Sequence, residues 1–341
     1  MANVYWHGDG GNWSDFTNHW FNATDGGGGS HGAAPGVDDN AIFDANSFDN
    51  PAQTVTVDAA ANCLDMDWTG ATNTPTLATG PNVLGFYGNV TFIAAMVITG
   101  GEGTYILDTA TSGTQLVTTN GLSINCSIGV LTAGTGTLSL QDNLTAINLY
   151  FNIGGTILTN NYTLNLVSFN VLGHTGTRTL TLGSSTVNIS GVGGWKAGAD
   201  LILTANTATI NVSGTGVFAG GGITTYNIVN LNGTAHTISG SNTFASLNLP
   251  AGTTQTITFT DGTTQTVGAA ALSGSAGHLH TLKGTGTAGW TISKSSGVIT
   301  CSYMRISYST ATGGATWYAG VYSLNGNSCN GWVFPRGWAS K

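Results

Sequence analysis

The sequence has very little charge. Charged residues make up 6% of the 341 residues, against about 25% in an ordinary soluble domain. Glu102 is the single glutamate, and lysine and arginine are also scarce. Because these residue types are strong helix formers, their scarcity excludes a mainly helical protein. Apolar residues still reach 40%, which is enough to bury a core and argues against disorder.

Basic residues are missing from the first half of the chain. Residues 1–177 contain 13 acidic side chains and no lysine or arginine, whereas residues 178–341 contain 7 bases and 2 acids. The first half would repel the phosphates of a nucleic acid, and the bases of the second half are scattered. We therefore expect no nucleic-acid partner.

Long apolar runs and closely spaced cysteines are absent too. No apolar run reaches the roughly 18–20 residues needed to span a bilayer, and the N-terminus lacks the features of a signal peptide. We expect no membrane insertion. The cysteines are Cys63, Cys126, Cys301 and Cys329. They form no CxxC pair, which favours buried free thiols and leaves a Cys301–Cys329 disulfide open.

Short alternating segments fill the chain between about residues 59 and 300. In each of them Thr, Ser or Asn alternates with Leu, Ile, Val or Phe. The segments include TLSL (137–140), TLNL (163–166), TLTL (179–182), TVNI (186–189), TINV (209–212) and TITF (256–259). This alternation is typical of strands with one buried face, and the Gly, Asn and Ser clusters between the segments supply turns.

The segments recur at a loose interval in the low-to-mid twenties of residues. Periods of about 20–50 residues are typical of solenoids and propellers. We predict an all-β fold, a right-handed parallel β-helix with roughly ten rungs over residues 59–300. Uncharged Thr, Ser and Asn suit the stacked outer faces of such a fold. Tandem β-sandwiches or jelly rolls are the alternative, since their strands also follow at short intervals.

Aromatic residues concentrate near the two ends of the chain. The candidates for a cap or an oligomer interface are Trp6, Trp13, Trp20, Trp317, Tyr318 and Trp332. A solenoid needs such caps, because its open strand edges would otherwise pair with other chains. The composition thus divides the chain into an N-terminal cap or attachment region (1–58), a solenoid body (59–300) and a C-terminal cap or oligomer interface (301–341).

The body offers few groups for catalysis or metal binding. Cleavage of glycans typically needs paired carboxylates, and the closest pair, Glu102 and Asp108, is interrupted by Gly103. His278 and His280 alternate onto one face of a strand, but no third metal ligand is near them. We predict no catalytic residue, no cofactor and no enzyme activity.

An acidic segment follows the N-terminal aromatic residues. Its carboxylates are Asp38, Asp39, Asp44 and Asp49. Carboxylate and amide oxygens are the ligands that Ca²⁺ prefers, but the spacing is not that of a calcium-binding loop. Turn formation and capping by these aspartates are the favoured interpretation, and calcium binding is left open.

The two ends of the chain resemble the ends of many bacteriophage virion proteins with repetitive β-rich bodies. The N-terminal frame consists of Tyr5, Trp6, Gly8, Gly11, Trp13, Trp20, Pro35, Asp39, Phe43 and Asp44. The C-terminal frame consists of Gly313, Gly314, Trp317, Tyr318, Asn325, Gly331 and Trp332. The likeness covers about a quarter of the chain.

The resemblance implies a structural and adhesive role in a tail fibre, tail spike or surface decoration, and it carries over no catalytic residue. It implies a virion location, synthesis in the host cytoplasm, other virion proteins and a host surface glycan as partners, and a homo-oligomer, most simply a trimer. Two alternatives remain: an ice-binding β-solenoid, since Thr-x-Thr pairs form flat ladders where they recur on one face, and a glycan-cleaving tail spike.

Overall fold

The computed structural model describes residues 1–131, 134–171, 176–223 and 225–335, without the side chains of Glu102 and Thr104. The chain forms parallel stacked coils, a β-solenoid of about 13 turns, with 52% of its residues in strands and 1% in helix. This architecture confirms the predicted parallel β-helix.

The chain divides into two compact units. The first comprises Met1–Leu166 and Asn170–Thr181, and the second comprises Val167–Phe169 and Leu182–Lys341. The elements of the first unit are β1 (Ala2–Trp6), β2 (Gly11–Asn12), α1 (Phe16–His19), β3 (Trp20–Phe21), β4 (Asp39–Ile42), β5 (Thr54–Thr56), β6 (Ala61–Cys63), β7 (Met66–Asp67), β8 (Thr76–Ala78), β9 (Val83–Phe86), β10 (Val90–Thr91), β11 (Val97–Asp108), β12 (Thr114–Thr118), β13 (Ser123–Val130), β14 (Thr137–Leu140), β15 (Leu144–Phe151) and β16 (Gly155–Leu158).

Residues of β17 (Leu164–Val171) fall in both units, and β18 (Arg178–Thr181) belongs to the first. The strands of the second unit are β19 (Thr186–Lys196), β20 (Leu201–Thr204), β21 (Thr209–Val212), β22 (Gly216–Ala219), β23 (Tyr226–Leu231), β24 (Ala235–Ser239), β25 (Thr243–Asn248), β26 (Gln255–Phe259), β27 (Thr264–Ala271), β28 (His280–Gly284), β29 (Trp290–Ser293), β30 (Val298–Thr300), β31 (Met304–Ser307), β32 (Ser309–Thr312), β33 (Thr316–Tyr318), β34 (Leu324–Asn327) and β35 (Trp332–Val333).

Each strand pairs in parallel with the equivalent strand of the neighbouring coil. One ladder of the first unit runs β1–β4–β7–β10–β12–β14–β16–β18. In the second unit, one ladder runs β21–β23–β25–β27–β29–β32, and another runs β22–β24–β26–β28–β31–β34. A third ladder joins β30, β33 and β35.

The core consists of aliphatic columns that follow from the sequence alternation. Leu138, Ile157 and Leu180 lie in register on successive coils, and each is 0% exposed. The residues between them along each strand point outward. Every coil therefore buries one set of side chains and presents Thr, Ser or Asn on the other side.

The coils differ in length, and the turns absorb the difference. Val90 lies beside Val117, 27 residues later, whereas Trp317 lies beside Trp332, only 15 residues later. This explains the loose period in the sequence. TVNI and TINV do occupy neighbouring coils, with Thr186 beside Thr209, but TINV and TITF belong to different ladders.

Asparagine side chains form a ladder of their own in the second unit. Asn211 donates from Nδ2 to Asn188 Oδ1 at 2.8 Å, Asn230 to Asn211 at 2.7 Å, and Asn248 to Asn230 at 2.9 Å. Each amide both donates and accepts along the stack, so these half-buried polar groups are satisfied by one another rather than by charge.

Parallel stacking extends beyond residues 59–300. Strand β1 already pairs with β4 in the N-terminal region, and β34 and β35 continue the ladders after residue 301. The aromatic ends of the sequence therefore contribute strands of their own. Among the described residues, α1 is a single turn capped by Asp15, and no helix is long and apolar enough to cross a membrane.

Candidate binding surface

The N-terminal aromatic residues form a buried cluster. Trp6, Trp13 and Trp20 are at most 2% exposed, and the Trp20 ring lies 5.0 Å from each of the other two. Trp6 also stacks on His19 at 4.5 Å. Gly11 is required beside them, because a Cβ there would lie 2.0 Å from the His19 ring. These tryptophans pack inside the chain.

Strand β3 completes this region at the edge of its sheet. It pairs antiparallel with β1, so Trp20 lies opposite Trp6. The parallel ladder on the other side of β1 is thereby bounded by a strand of opposite direction, which is an arrangement that limits edge-to-edge pairing. Assignment of Trp6, Trp13 and Trp20 to a cap or an interface stays a prediction.

The C-terminal aromatic candidates divide into buried and exposed side chains. Trp317 and Trp332 are 0% and 8% exposed, and their rings meet edge to face at 5.2 Å. Tyr318 is 42% exposed on β33, next to the 46% exposed Val333 of β35. Trp338, which belongs to the same aromatic region of the sequence, lies outside the described residues. Of the C-terminal candidates, Tyr318 is therefore the side chain that offers contact area.

The carboxylates of the acidic segment are directed at their own turns. Asp44 accepts from the backbone N–H of Asn46 at 2.9 Å, and Asp39 accepts from Gly36 N–H at 3.2 Å and lies 3.7 Å from His31 Nε2. Within the described ranges, no group of three or more His, Cys, Asp or Glu side chains is arranged to hold a metal ion. The arrangement supports the turn-forming interpretation.

Asp108 is the one body carboxylate with a strongly altered environment. It is 0% exposed, its Oδ1 accepts from the N–H of Ala110 at 3.0 Å, and its Oδ2 has no hydrogen-bond partner among the described residues. Burial raises the pKa of Asp108 to about 7. The side chain of its sequence partner Glu102 lies outside the described part, so no catalytic pair is assembled from them here.

The two histidines of GHLHT have separate environments. His280 is fully buried, and its ring nitrogens lie 2.9 Å from Leu272 O and 3.0 Å from Thr253 O. His278 is more exposed and contacts Thr254 at 3.5 Å. His280 is thus occupied by backbone carbonyl groups and is not available to a metal.

All four cysteines are free thiols. Cys63, Cys126 and Cys301 are buried, and Cys329 is half-buried. Burial raises the pKa of Cys301 to about 12 and also raises that of Cys329. The prediction of free thiols is confirmed, and the Cys301–Cys329 disulfide is not formed.

A strip of threonines is the most regular outward feature of the second unit. Thr237 lies beside Thr258, and Thr256 lies beside Thr281, on the successive strands β24, β26 and β28. We call Thr237, Thr256, Thr258 and Thr281 the hydroxyl strip. Beneath it lie fully buried aliphatic residues such as Leu282, so the outward side chains stand on a packed base.

The hydroxyl strip leads to two cations. Lys283 follows Thr258 on β28, and Arg305 follows Thr281 on β31. Both are exposed, and neither has a hydrogen bond or ion pair to another residue in the described ranges. They flank a groove of about 380 Å³. Its lining consists of Thr281, Lys283, Gly284, Gly286, Thr287, Arg305, Ser307 and Tyr308.

Asp261 shapes one rim of this groove. Its two carboxylate oxygens accept from Gly286 N–H at 3.1 Å and Ala288 N–H at 3.0 Å. These hydrogen bonds, that of Gly286 first, lower the pKa of Asp261. The carboxylate is therefore engaged in holding the loop after β28 rather than in pairing with Lys283 or Arg305.

Sequence reasoning did not find this surface. The threonines, Lys283 and Arg305 are separated by 18 or more residues along the chain, and only the pairing register brings them together. The available signal was the Thr-x-Thr spacing within TITF and HTLK, which places two side chains on one face of each strand. Comparison with known proteins adds no assignment, since the chain matches no family model, no curated protein and no solved structure.

Proposed function

We propose that the protein is a non-enzymatic structural and adhesive component of a bacteriophage particle, as a tail fibre, a spike or a surface decoration. The observation that carries the adhesive part is the hydroxyl strip with its cationic end. The phage setting is supported by the resemblance of the terminal sequences to virion proteins.

A stacked β-solenoid suits adhesion for a physical reason. The ladder holds Thr237, Thr258 and Lys283 on adjacent strands before any ligand arrives. A preorganised surface loses little conformational freedom on binding, so weak contacts to many hydroxyl groups add up. The low charge of the chain further limits non-specific attraction to other polyelectrolytes.

We also propose self-association through the third ladder of the second unit, with three copies as the expected number. Val298, Tyr318 and Val333 on β30, β33 and β35 are 59%, 42% and 46% exposed. Exposed apolar side chains on neighbouring strands are typical of contact surfaces. Light scattering coupled to size-exclusion chromatography measures the copy number, and a monomer at all concentrations would contradict this part.

Labelling of particles tests the function as a whole. Antibodies raised against the folded chain should decorate intact virions in electron micrographs, and fluorescent protein should bind cells of the host that the particles infect. The same protein after heat unfolding is the control. Absence of the chain from purified particles, together with no binding to cells, would contradict the proposal.

A second candidate function, ice binding, is favoured by a different face. Thr264, Thr291 and Thr310 lie in register on β27, β29 and β32, and a parallel row contains Thr266, Ser293 and Thr312. The two rows form the regular hydroxyl array that this function needs. Thermal hysteresis of the purified protein decides the matter: no growth arrest of ice crystals at millimolar protein would eliminate this candidate.

A further inference from the structure

We propose that the hydroxyl strip and its cationic end bind an acidic polysaccharide, with carboxylate groups at Lys283 and Arg305 and sugar hydroxyls along the threonines. This inference rests on the proposed adhesive function and names the ligand class of the same surface.

The two cations lack a counter-charge. The described part of the second unit contains four basic side chains, and its acids are Asp200 and Asp261. The Asp261 carboxylate is engaged with backbone N–H groups of the loop at the groove rim. Two adjacent cations that repel each other and have no partner in the fold are stabilised when an anion joins them.

The geometry around Arg305 suits a carboxylate. A Cβ on Gly326 would lie 3.2 Å from Arg305 Nε, which shows that the guanidinium lies over the glycine of the next coil. The absence of a side chain there leaves the guanidinium open on its outer side. A planar guanidinium binds a carboxylate through two parallel hydrogen bonds, whereas the Lys283 ammonium adds a point charge.

The remaining lining suits a sugar. Thr281, Thr287 and Ser307 contribute hydroxyl groups to the groove. The Tyr308 ring lines it as well, and its phenolic oxygen accepts from Asn327 Nδ2 at 2.9 Å, which fixes the ring. Aromatic rings give sugars contact area at low entropic cost.

The direction of the strip suits a polymer. Successive strands lie about 4.8 Å apart, so each coil presents a new pair of outward positions at the scale of one pyranose residue. A chain laid across the strands meets Thr237, Thr258 and Lys283 in turn. The strip therefore contacts consecutive sugars with equivalent groups before the cations select for acid.

A nucleic acid fits the same surface less well. Its affinity depends on many phosphate contacts and on aromatic platforms for the bases. The strip offers only Lys283 and Arg305 as cations, and its other outward groups are aliphatic hydroxyls. With a net charge of −8 on the whole chain, long-range attraction of a polyphosphate is also disfavoured.

The test compares polygalacturonate with its fully methyl-esterified, neutral form by isothermal titration calorimetry of the full chain. We expect the acidic polymer to bind at least tenfold more tightly, and the double variant Lys283→Gln/Arg305→Gln to lose that preference. Arg305→Lys should restore only part of it, because charge returns without the planar fork.

Lys196→Gln is the matched control, since Lys196 is an exposed lysine several strands away at the end of β19. We expect it to bind like the wild-type chain, and the circular dichroism of all variants should be unchanged.

Three results would overturn the proposal: equal binding of the acidic and neutral polymers, equal weakening by Lys196→Gln, or tighter binding of single-stranded DNA than of polygalacturonate. Failure here is distinguishable from failure of the adhesive function. If wild-type and Lys283→Gln/Arg305→Gln chains bind host cells equally, adhesion stands and this ligand assignment is wrong. If neither binds cells or polymer, both are wrong.

Discussion

Replacement of Asp108 by asparagine should stabilise the first unit at neutral pH. Asp108 lies at the end of β11, in register with Phe86 on β9 and Val130 on β13, both 0% exposed. In the ionised state, one of its oxygens is a buried acceptor with no partner in the described ranges. Asp108→Asn keeps the shape and removes the charge, so the hydrogen bond from Ala110 N–H is retained.

The magnitude follows from the pKa. Burial raises the pKa of Asp108 from 3.8 to about 7. At about 1.4 kcal/mol for each pKa unit, the ionised carboxylate lowers the free energy of unfolding by about 4 kcal/mol. The sign is that of a raised acid: below about pH 4 both states are protonated and nothing is lost. Between pH 4 and 7 the unfolded chain releases its proton first, so stability falls as pH rises.

Urea unfolding at constant ionic strength, followed by tryptophan fluorescence between pH 4 and 8, measures this effect. The stability difference between Asp108→Asn and the wild type should grow across that range and then level off. Asp9→Asn is the control, because hydrogen bonds from Asn50 lower the pKa of Asp9, so its contribution changes only below about pH 4 and with the opposite sign. A pH-independent difference for Asp108→Asn would refute the reasoning.

Three further expectations concern the ladders, the turns and the thiols. Asn211→Ala removes two hydrogen bonds of the asparagine ladder and should lower the free energy of unfolding by about 2 kcal/mol, whereas Asn232→Ala, at an exposed position outside the ladder, should change it by less than about 0.5 kcal/mol; equal effects in urea unfolding would contradict the ladder's contribution. Gly129→Ala should destabilise by about 3 kcal/mol, because the new Cβ would lie 1.9 Å from the Tyr150 carbonyl oxygen; Gly252→Ala, with open space around it, is the control, and a wild-type melting temperature for Gly129→Ala would be the contrary result. In the native protein, a thiol reagent should modify Cys329 first, since the other three thiols are buried; mass spectrometry of the labelled peptides identifies the site, and rapid labelling elsewhere would disagree.

The strands and the fold class could be predicted from the sequence because alternation is local. TVNI and TINV show a buried and an outward set without any knowledge of their neighbours, and both are strands. Low charge and abundant Thr and Asn then favoured a stacked parallel arrangement over sandwiches. Polar side chains that stack on themselves, as Asn211 does on Asn188, need no counter-charge.

The candidate surface could not be predicted, because it depends on register and turn length. Whether Thr258 stands beside Lys283 or one residue off is decided by how many residues the intervening turn absorbs. A spacing of 25 residues between those two positions and of 19 between Thr291 and Thr310 gives no common period in the sequence. The terminal tryptophans were visible as a group, but their burial followed only from the coordinates.

Stacked pairing between neighbouring coils has a consequence for how the chain folds during synthesis. Most pairing partners are separated by no more than one coil, so each new segment finds its template already formed as it leaves the ribosome. The aromatic cluster around Trp20, with its antiparallel strand β3, emerges first and supplies the first surface on which a coil can settle. Assembly then advances in one direction, toward the C-terminus, and only the most recently made coil exposes an unpaired edge at any moment. A low-charge, threonine-rich chain is thereby protected from aggregation by the order in which it is made.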